Sequence, residues 1–273
     1  MRQEFYGTGR RMVMTELTKA ADILAEIRKN GMAETDASTN TETSKDYEKL
    51  ASYIVPIPKR KEIGKRIGES VGRPEEWRKR LERAGIRKRF WPCRFDLMEK
   101  YAMPEGVQDA FRRARQYAEH FDKYARRGVG VIFIGPVGTM KTSMAVAVAQ
   151  HVMAHGKSAF FIPMAELFDT LITMGKQRDH AEFLAFENRL KSTSLLILDD
   201  LGTEYPGDWI RNKVDAIISN RYNRMMPVII TTNLVPGELS GRYQERVYDR
   251  LKGSSLVITV AADSQRRAPE EIT

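Results

Sequence analysis

The sequence predicts an α/β fold, a parallel five-stranded sheet in a three-layer sandwich, and three observations carry that prediction. Val131-Ile132-Phe133-Ile134, Leu195-Leu196-Ile197-Leu198 and Val228-Ile229-Ile230 are unbroken apolar runs, the pattern of strands buried on both faces. Strand-like runs alternate with helix-length segments, which suits a parallel sheet covered on both sides. The first run passes through Gly135-Pro136-Val137-Gly138-Thr139-Met140 straight into a helical stretch starting at Lys141.

The elements follow from the breaks. Residues 15–30 place Leu17, Ala20, Ala21, Leu24 and Ile27 on one helical face, and Gly31 is a stop signal. We assign 1–32 as an N-terminal helical segment, with Met14 a second candidate start. Residues 34–44 are rich in Thr, Ser, Asn and acids without apolar periodicity, so 33–46 read as a flexible linker. A basic helical, partner-binding region is expected over 47–85, and the α/β domain over 86–273. In that domain a helix is predicted over 104–127, strand one at 131–134 and the loop helix from 141. Strand two follows at 158–162, then two helices to residue 191, strand three from 195 and a helix over 207–225. Strand four at 227–233, a helix over 238–250 and strand five at 255–260 complete it. No full C-terminal lid is expected in the domain over 86–273.

The loop carries the chemistry. A strand turning through glycines into a helix leaves backbone N–H groups aimed where a triphosphate can sit. In the frame Gly-x4-Gly-Lys-[Ser/Thr], Gly135, Pro136, Val137, Gly138, Thr139, Met140, Lys141, Thr142 and Ser143 would cradle the nucleotide. Lys141 would reach the β- and γ-phosphates, and the Thr142 hydroxyl would ligate Mg²⁺. Met140 stands where a glycine is expected, and glycine there normally lets the backbone approach phosphate closely.

The third run ends in Asp199-Asp200. Acids at the carboxyl end of a parallel strand face the crevice where such sheets bind ligands. Asp199 is the candidate Mg²⁺ ligand, acting through water, and Asp200 the group that polarises an attacking water. Strand four ends in Asn233, which could orient that water if the strand lies between the loop strand and the Asp strand. An Asn-tipped strand in that place implies the order 5-1-4-3-2, the additional-strand P-loop NTPase architecture. Each residue alone has an ordinary reading as a cap or turn residue; the three in this order point to ATP and Mg²⁺.

Composition frames the rest. The chain has 273 residues, 42% hydrophobic, one cysteine and a net charge of +9. It has no apolar run of membrane-spanning length and no secretion signal, so a cytoplasmic protein without a membrane partner is expected. Cys93 alone excludes an internal disulfide or a cysteine-cluster zinc site. His151 and His155 are spaced for a metal on one helix face, but without a third ligand in view they read as packing or surface. Residues 57–90 hold 13 Lys or Arg against 5 Glu, an excess of 8. That stripe, with Trp77 inside it, suits a phosphate backbone or an acidic partner, and equally a solvated helix with Glu–Arg pairs.

From about residue 85 to 267 the chain resembles the AAA+ ATPases that load the bacterial replicative helicase, the DnaC/DnaI-like loaders. The similar stretches are the aromatic-basic lead-in, Ala-Arg-Gln-Tyr-Ala-Glu-His-Phe at 114–121, Leu198-Asp199-Asp200-Leu201-Gly202-Thr203-Glu204 and Asp208-Trp209. Ile217-Ile218-Ser219-Asn220-Arg221-Tyr222, Ile230-Thr231-Thr232-Asn233-Leu234, Glu245-Arg246-Val247-Tyr248-Asp249-Arg250-Leu251 and Asp263-Ser264-Gln265-Arg266 complete them. The resemblance implies an AAA+ core, and an ATPase that binds the hexameric replicative helicase and helps place it on single-stranded DNA. It implies self-association through ATP at subunit interfaces, with Arg250 as the arginine finger and Arg246 the second candidate. It places Arg266 at the sensor-2 position. Met140 and the short Asp200 side chain suggest slow hydrolysis. The alternatives are an IstB-like transposition helper that binds duplex DNA, and a non-hydrolysing helicase adaptor.

Overall fold

The computed structural model describes residues 74–101, 103–176, 180–202, 208–234, 237–238 and 245–265. The expected N-terminal helix and linker, and most of the basic region, lie outside these.

Five parallel strands form one sheet: β1 (Gly130–Ile134), β2 (Ala159–Pro163), β3 (Leu195–Asp199), β4 (Val228–Thr232) and β5 (Ser255–Thr259). Their spatial order, β2-β3-β4-β1-β5, is the one expected from the Asn-tipped strand. Registers such as Ile132↔Ile230 and Ile197↔Ile229 bring the carboxyl ends of β1, β3 and β4 to one edge.

Strand alternation divides the core into two layers. Val131, Phe133, Phe161, Leu195, Ile197, Ile229 and Ile258 face one side. There they meet α1 (Pro74–Arg83), α2 (Phe95–Met98), α3 (Glu105–Glu119), α4 (Phe121–Ala125) and α5 (Lys141–Ala154). Ile132, Ile134, Phe160, Ile162, Leu196, Leu198, Ile230 and Val257 face the other. That side is covered by α6 (Met164–Lys176), α7 (His180–Ser192), α8 (Asp208–Asn223) and α9 (Glu245–Gly253). Helix α5 is apolar nearly all round because it is enclosed between the sheet and α3.

Three local outcomes differ from the sequence expectation. The helix expected over 104–127 breaks at His120, whose φ of −107° leaves the helical region. The break lets Phe121 pack edge-on to Tyr117 while Tyr124 stacks on Tyr117, with ring centroids 6.1 and 4.9 Å apart. The helix expected over 238–250 is described as Glu245–Gly253, ending further along the chain. Finally, Trp77, the aromatic of the basic stripe, is 1% exposed and cannot stack on a base. With Leu81, Ala84 and Ile86 it belongs to the same apolar cluster as the sheet. The contact is close: Phe161 N donates to Ala84 O at 2.8 Å. Gly85 has φ +75°, and a Cβ there would lie 2.2 Å from Phe161 O. Helix α1 is therefore packed into the same body as the sheet, although the sequence places it before the boundary at residue 85.

Candidate nucleotide site

The loop after β1 adopts the strand-turn-helix geometry. Thr139, fully buried, donates from Oγ1 to Pro136 O at 2.9 Å and pins the turn. Gly138 has φ +83°, and a Cβ there would meet Ser264 Oγ at 2.2 Å. Met140 takes the conformation that glycine would, φ +69° and ψ 14°, at the N-cap of α5. A left-handed residue with a Cβ costs about 1–2 kcal/mol, which the partly buried Met140 side chain offsets by packing on the core. The substitution at this position thus strains the loop without unmaking it.

Lys141 is 5% exposed, and its Nζ donates to Gly135 O at 2.8 Å and Pro136 O at 2.6 Å. The ammonium therefore spans the loop it is expected to serve. Val137 is exposed at the loop tip. Ser143 is buried on the core side of α5, beside Cys93. Burial pushes the Cys93 thiol up to about 12, so it is inert at neutral pH.

Asp199 ends β3 beside the helix start. Its Oδ1 accepts from Thr142 Oγ1 at 2.8 Å and from Thr231 Oγ1 at 2.7 Å. Thr231 Oγ1 in turn accepts from the Asp200 backbone N–H at 2.9 Å. Burial, then the neighbouring charge of Asp200, raises the Asp199 pKa from 3.8 to about 6; the two hydroxyl hydrogen bonds and the Lys141 charge hold it from rising further. The Thr142 hydroxyl and Asp199 carboxylate are a compact set of hard oxygens, the donor chemistry that Mg²⁺ takes together with phosphate oxygens and water. A dication would also remove the cost of ionising a buried carboxylate, so the residues present fit the ion.

Asp200 sits at φ +58° with an exposed side chain at the same edge. Asn233 follows the last residue of β4, and its buried Oδ1 has no hydrogen-bond partner among the described residues. A buried carbonyl oxygen without a donor is costly, and here it lies one residue beyond Thr232, whose backbone O accepts from Gly135 N at 3.3 Å. The structure thus brings Lys141, Thr142, Asp199, Asp200 and Asn233 to one strand edge.

The arginines fall elsewhere. Arg246 and Arg250 project from α9 in the opposite layer from α5. Arg246 pairs with Asp215 Oδ2 of α8. Arg250 Nη1 lies 3.5 Å from Asp215 Oδ1, bonds Ser219 Oγ and reaches 5.9 Å from the Tyr222 ring centroid. Arg266 lies outside the described residues, but the preceding Gln265 N donates to Gly138 O at 2.9 Å, so the chain just before it is docked on the loop. His151 and His155 stack at 4.4 Å, and His155 Nδ1 lies 2.8 Å from His151 O.

Sequence reasoning missed Thr231. Its signal was available: two threonines close a strand that is otherwise apolar. The second, Thr232, donates to Leu201 O at 2.7 Å and locks the turn after Asp200.

The sequence profile described as IstB-like ATP binding protein matches residues 113–271, from within α3 to near the C-terminus. The chain belongs to that family. Among relatives of this IstB-like protein, the replicative helicase loader DnaC of Escherichia coli (strain K12) is 28% identical over 200 residues, spanning 72% of this chain and 79% of DnaC. The crystal structure of the DnaC helicase loader is similar with a TM-score of 0.57 and 26% identity, over 64% of this chain and 99% of that one. The crystal structure of DnaI, at 20% identity and TM-score 0.52 over 60% of this chain and 89% of that one, shares the fold. These relatives agree with the resemblance read from the motifs, and the core is a P-loop, AAA+-type α/β domain. Among the described residues no helix is long and apolar enough to cross a membrane.

Proposed function

We propose that this chain is an ATP-dependent loader of the replicative hexameric helicase, with ATP binding and slow hydrolysis as its switch. The observation that carries the reading is the Thr142–Asp199–Thr231 contact beside an intact loop, on a fold similar to the helicase loader DnaC. The loop N–H groups and Lys141 bind the triphosphate, and Lys141 exchanges its contacts with Gly135 O and Pro136 O for phosphate oxygens. Thr142, and Asp199 through water, would hold Mg²⁺, which would supply charge neutralisation at the phosphates. Asp200 and Asn233 Oδ1, the latter without a partner among the described residues, orient the attacking water by accepting hydrogen bonds from it. Arg250, leaving Asp215, enters the neighbouring subunit's site, which makes hydrolysis depend on assembly. Arg266, next to the docked Gln265, completes the subunit's own site. Cytoplasmic localisation follows from the same role.

The test is capture of the cognate replicative helicase by the full chain and by a chain lacking residues 1–72, each with ATP, ADP or no nucleotide. That truncation retains α1, whose Trp77 and Leu81 belong to the core. Nucleotide-dependent capture that needs the N-terminal residues is the expected result. No capture in any state, with ATP and duplex-DNA binding retained, favours the IstB-like transposition helper. Failure of Lys141→Ala to alter nucleotide binding would leave the adaptor reading.

A further inference from the structure

A basic cleft lies at the sheet edge opposite the nucleotide loop. Its volume is about 460 Å³, and it is lined by the end of α1, the turn between α5 and β2, and the end of α7. Arg80, Arg83, Lys157 and Arg189 bring four cations to it, Ser192 and Thr193 add hydroxyls, and among the described residues no carboxylate lines it. Strands β2 and β3 begin here, whereas the nucleotide loop follows the carboxyl end of β1. Five-residue strands separate the two edges by roughly 17 Å.

Helix polarity explains part of this charge. The C-termini of α1, α5 and α7 converge on the cleft, each equivalent to about −0.5 charge, and Arg80 Nη2 donates to Met153 O at 2.6 Å. Lys157 is paired with the exposed Asp122 at 3.0 Å. The three cations without a carboxylate partner, Arg80, Arg83 and Arg189, set against three half-charges, still leave an excess of roughly +1.5. The guanidinium groups of Arg83 and Arg189 have no hydrogen-bond or carboxylate partner among the described residues. Arg189 is nevertheless held in place, its guanidinium 3.8 Å from the Phe160 ring centroid, and Arg80 lies 5.0 Å from that of Trp77. Guanidinia fixed on aromatic faces lose little entropy on binding an anion, and their forks match phosphate. Further out along α1, exposed Arg78 and Lys79 alternate with exposed Glu75, Glu76 and Glu82, so the cationic excess is concentrated in the cleft itself.

We propose that this cleft binds backbone phosphates of single-stranded DNA, as a contact separate from the nucleotide edge. The inference rests on the reading that the chain handles single-stranded DNA and not on which helicase it serves. Because both aromatics are covered by arginines, the contact is to phosphate and is insensitive to base sequence.

The test is fluorescence anisotropy of a labelled oligothymidylate with the full chain, Mg²⁺ and ATP, titrated at salt from about 50 to 200 mM. The variants are Arg83→Gln, Arg83→Gln with Arg189→Gln, and Arg112→Gln on the far side of α3 as a control. Arg83→Gln changes only an exposed side chain, which separates binding from folding. The expected result is about a tenfold loss of affinity in the double variant and a salt slope lower by about 1–2. The single variant should show part of this and the control none, with ATP binding and helicase capture unchanged in all three. Wild-type affinity and slope in the double variant would overturn the proposal. So would loss of binding to a polyglutamate probe alone, which would make the cleft a seat for an acidic protein segment. Wild-type protein that captures helicase but binds no oligothymidylate would overturn the cleft assignment while leaving the helicase partnership standing.

Discussion

Replacing Asp199 with asparagine should stabilise the protein while weakening the proposed Mg²⁺-dependent nucleotide binding. The folded carboxylate has its pKa raised from 3.8 to about 6, chiefly by burial. Below about pH 3 the side chain is largely protonated in folded and unfolded chains alike, and the penalty is small. As pH rises the unfolded chain ionises first, so stability is lost progressively until the folded carboxylate ionises near pH 6. Linkage puts the cost at about 1–2 kcal/mol at pH 5 and ~3 kcal/mol from pH 7 upward. The asparagine would still accept from Thr142 and Thr231 through its carbonyl oxygen and carry no ionisation cost. Its amide requires an acceptor, so ~3 kcal/mol is the ceiling of the gain. Urea denaturation of Asp199→Asn and wild type at pH 5, 6, 7 and 8, without nucleotide, measures the difference directly. The gap should widen with pH and level off above pH 7. With Mg²⁺ and ATP at about 100 times Kd, wild type should gain ~2.7 kcal/mol and the variant far less. Parallel pH profiles, or a variant less stable than wild type at pH 8, would refute the reasoning.

Thr231→Val, which keeps the shape and removes the hydroxyl, should cost about 1–3 kcal/mol by leaving Asp199 and the Asp200 N–H short of a partner; calorimetry and a steady-state ATPase assay should show reduced turnover with it. Met140→Gly should relieve the left-handed strain at the loop while losing the Met side chain's contacts, leaving stability within about 1 kcal/mol of wild type. Met140→Ile should weaken fluorescent-ATP binding, because a β-branched residue resists positive φ. Arg250→Ala should leave ATP binding intact and lower hydrolysis only in the assembled complex, with Arg246 still pairing Asp215; unchanged turnover in that complex would remove the finger assignment. Trp77→Ala should destabilise the ATPase body by about 3–5 kcal/mol in urea melts, although residue 77 lies in the stripe that looks like surface.

What sequence alone determined was the sheet and the edge that carries the candidate site. Continuous apolar runs such as Leu195–Asp199 are legible because a strand buried on both faces has no choice of residue type. The glycines, Lys141 and Thr142 are legible because few loops bring backbone N–H groups to a triphosphate. The order 5-1-4-3-2 followed from the polar tip of one strand. Only tertiary structure decided what the side chains beyond that edge do. Burial of Trp77 depends on the Ala84–Phe161 contact, between residues far apart in the chain. Thr231 became a site residue through a hydrogen bond to a neighbouring strand, and the basic cleft exists because three helix ends meet. Local patterns record which face of an element is buried, whereas pairing, pKa and charge clustering are set by neighbours that the linear order does not reveal.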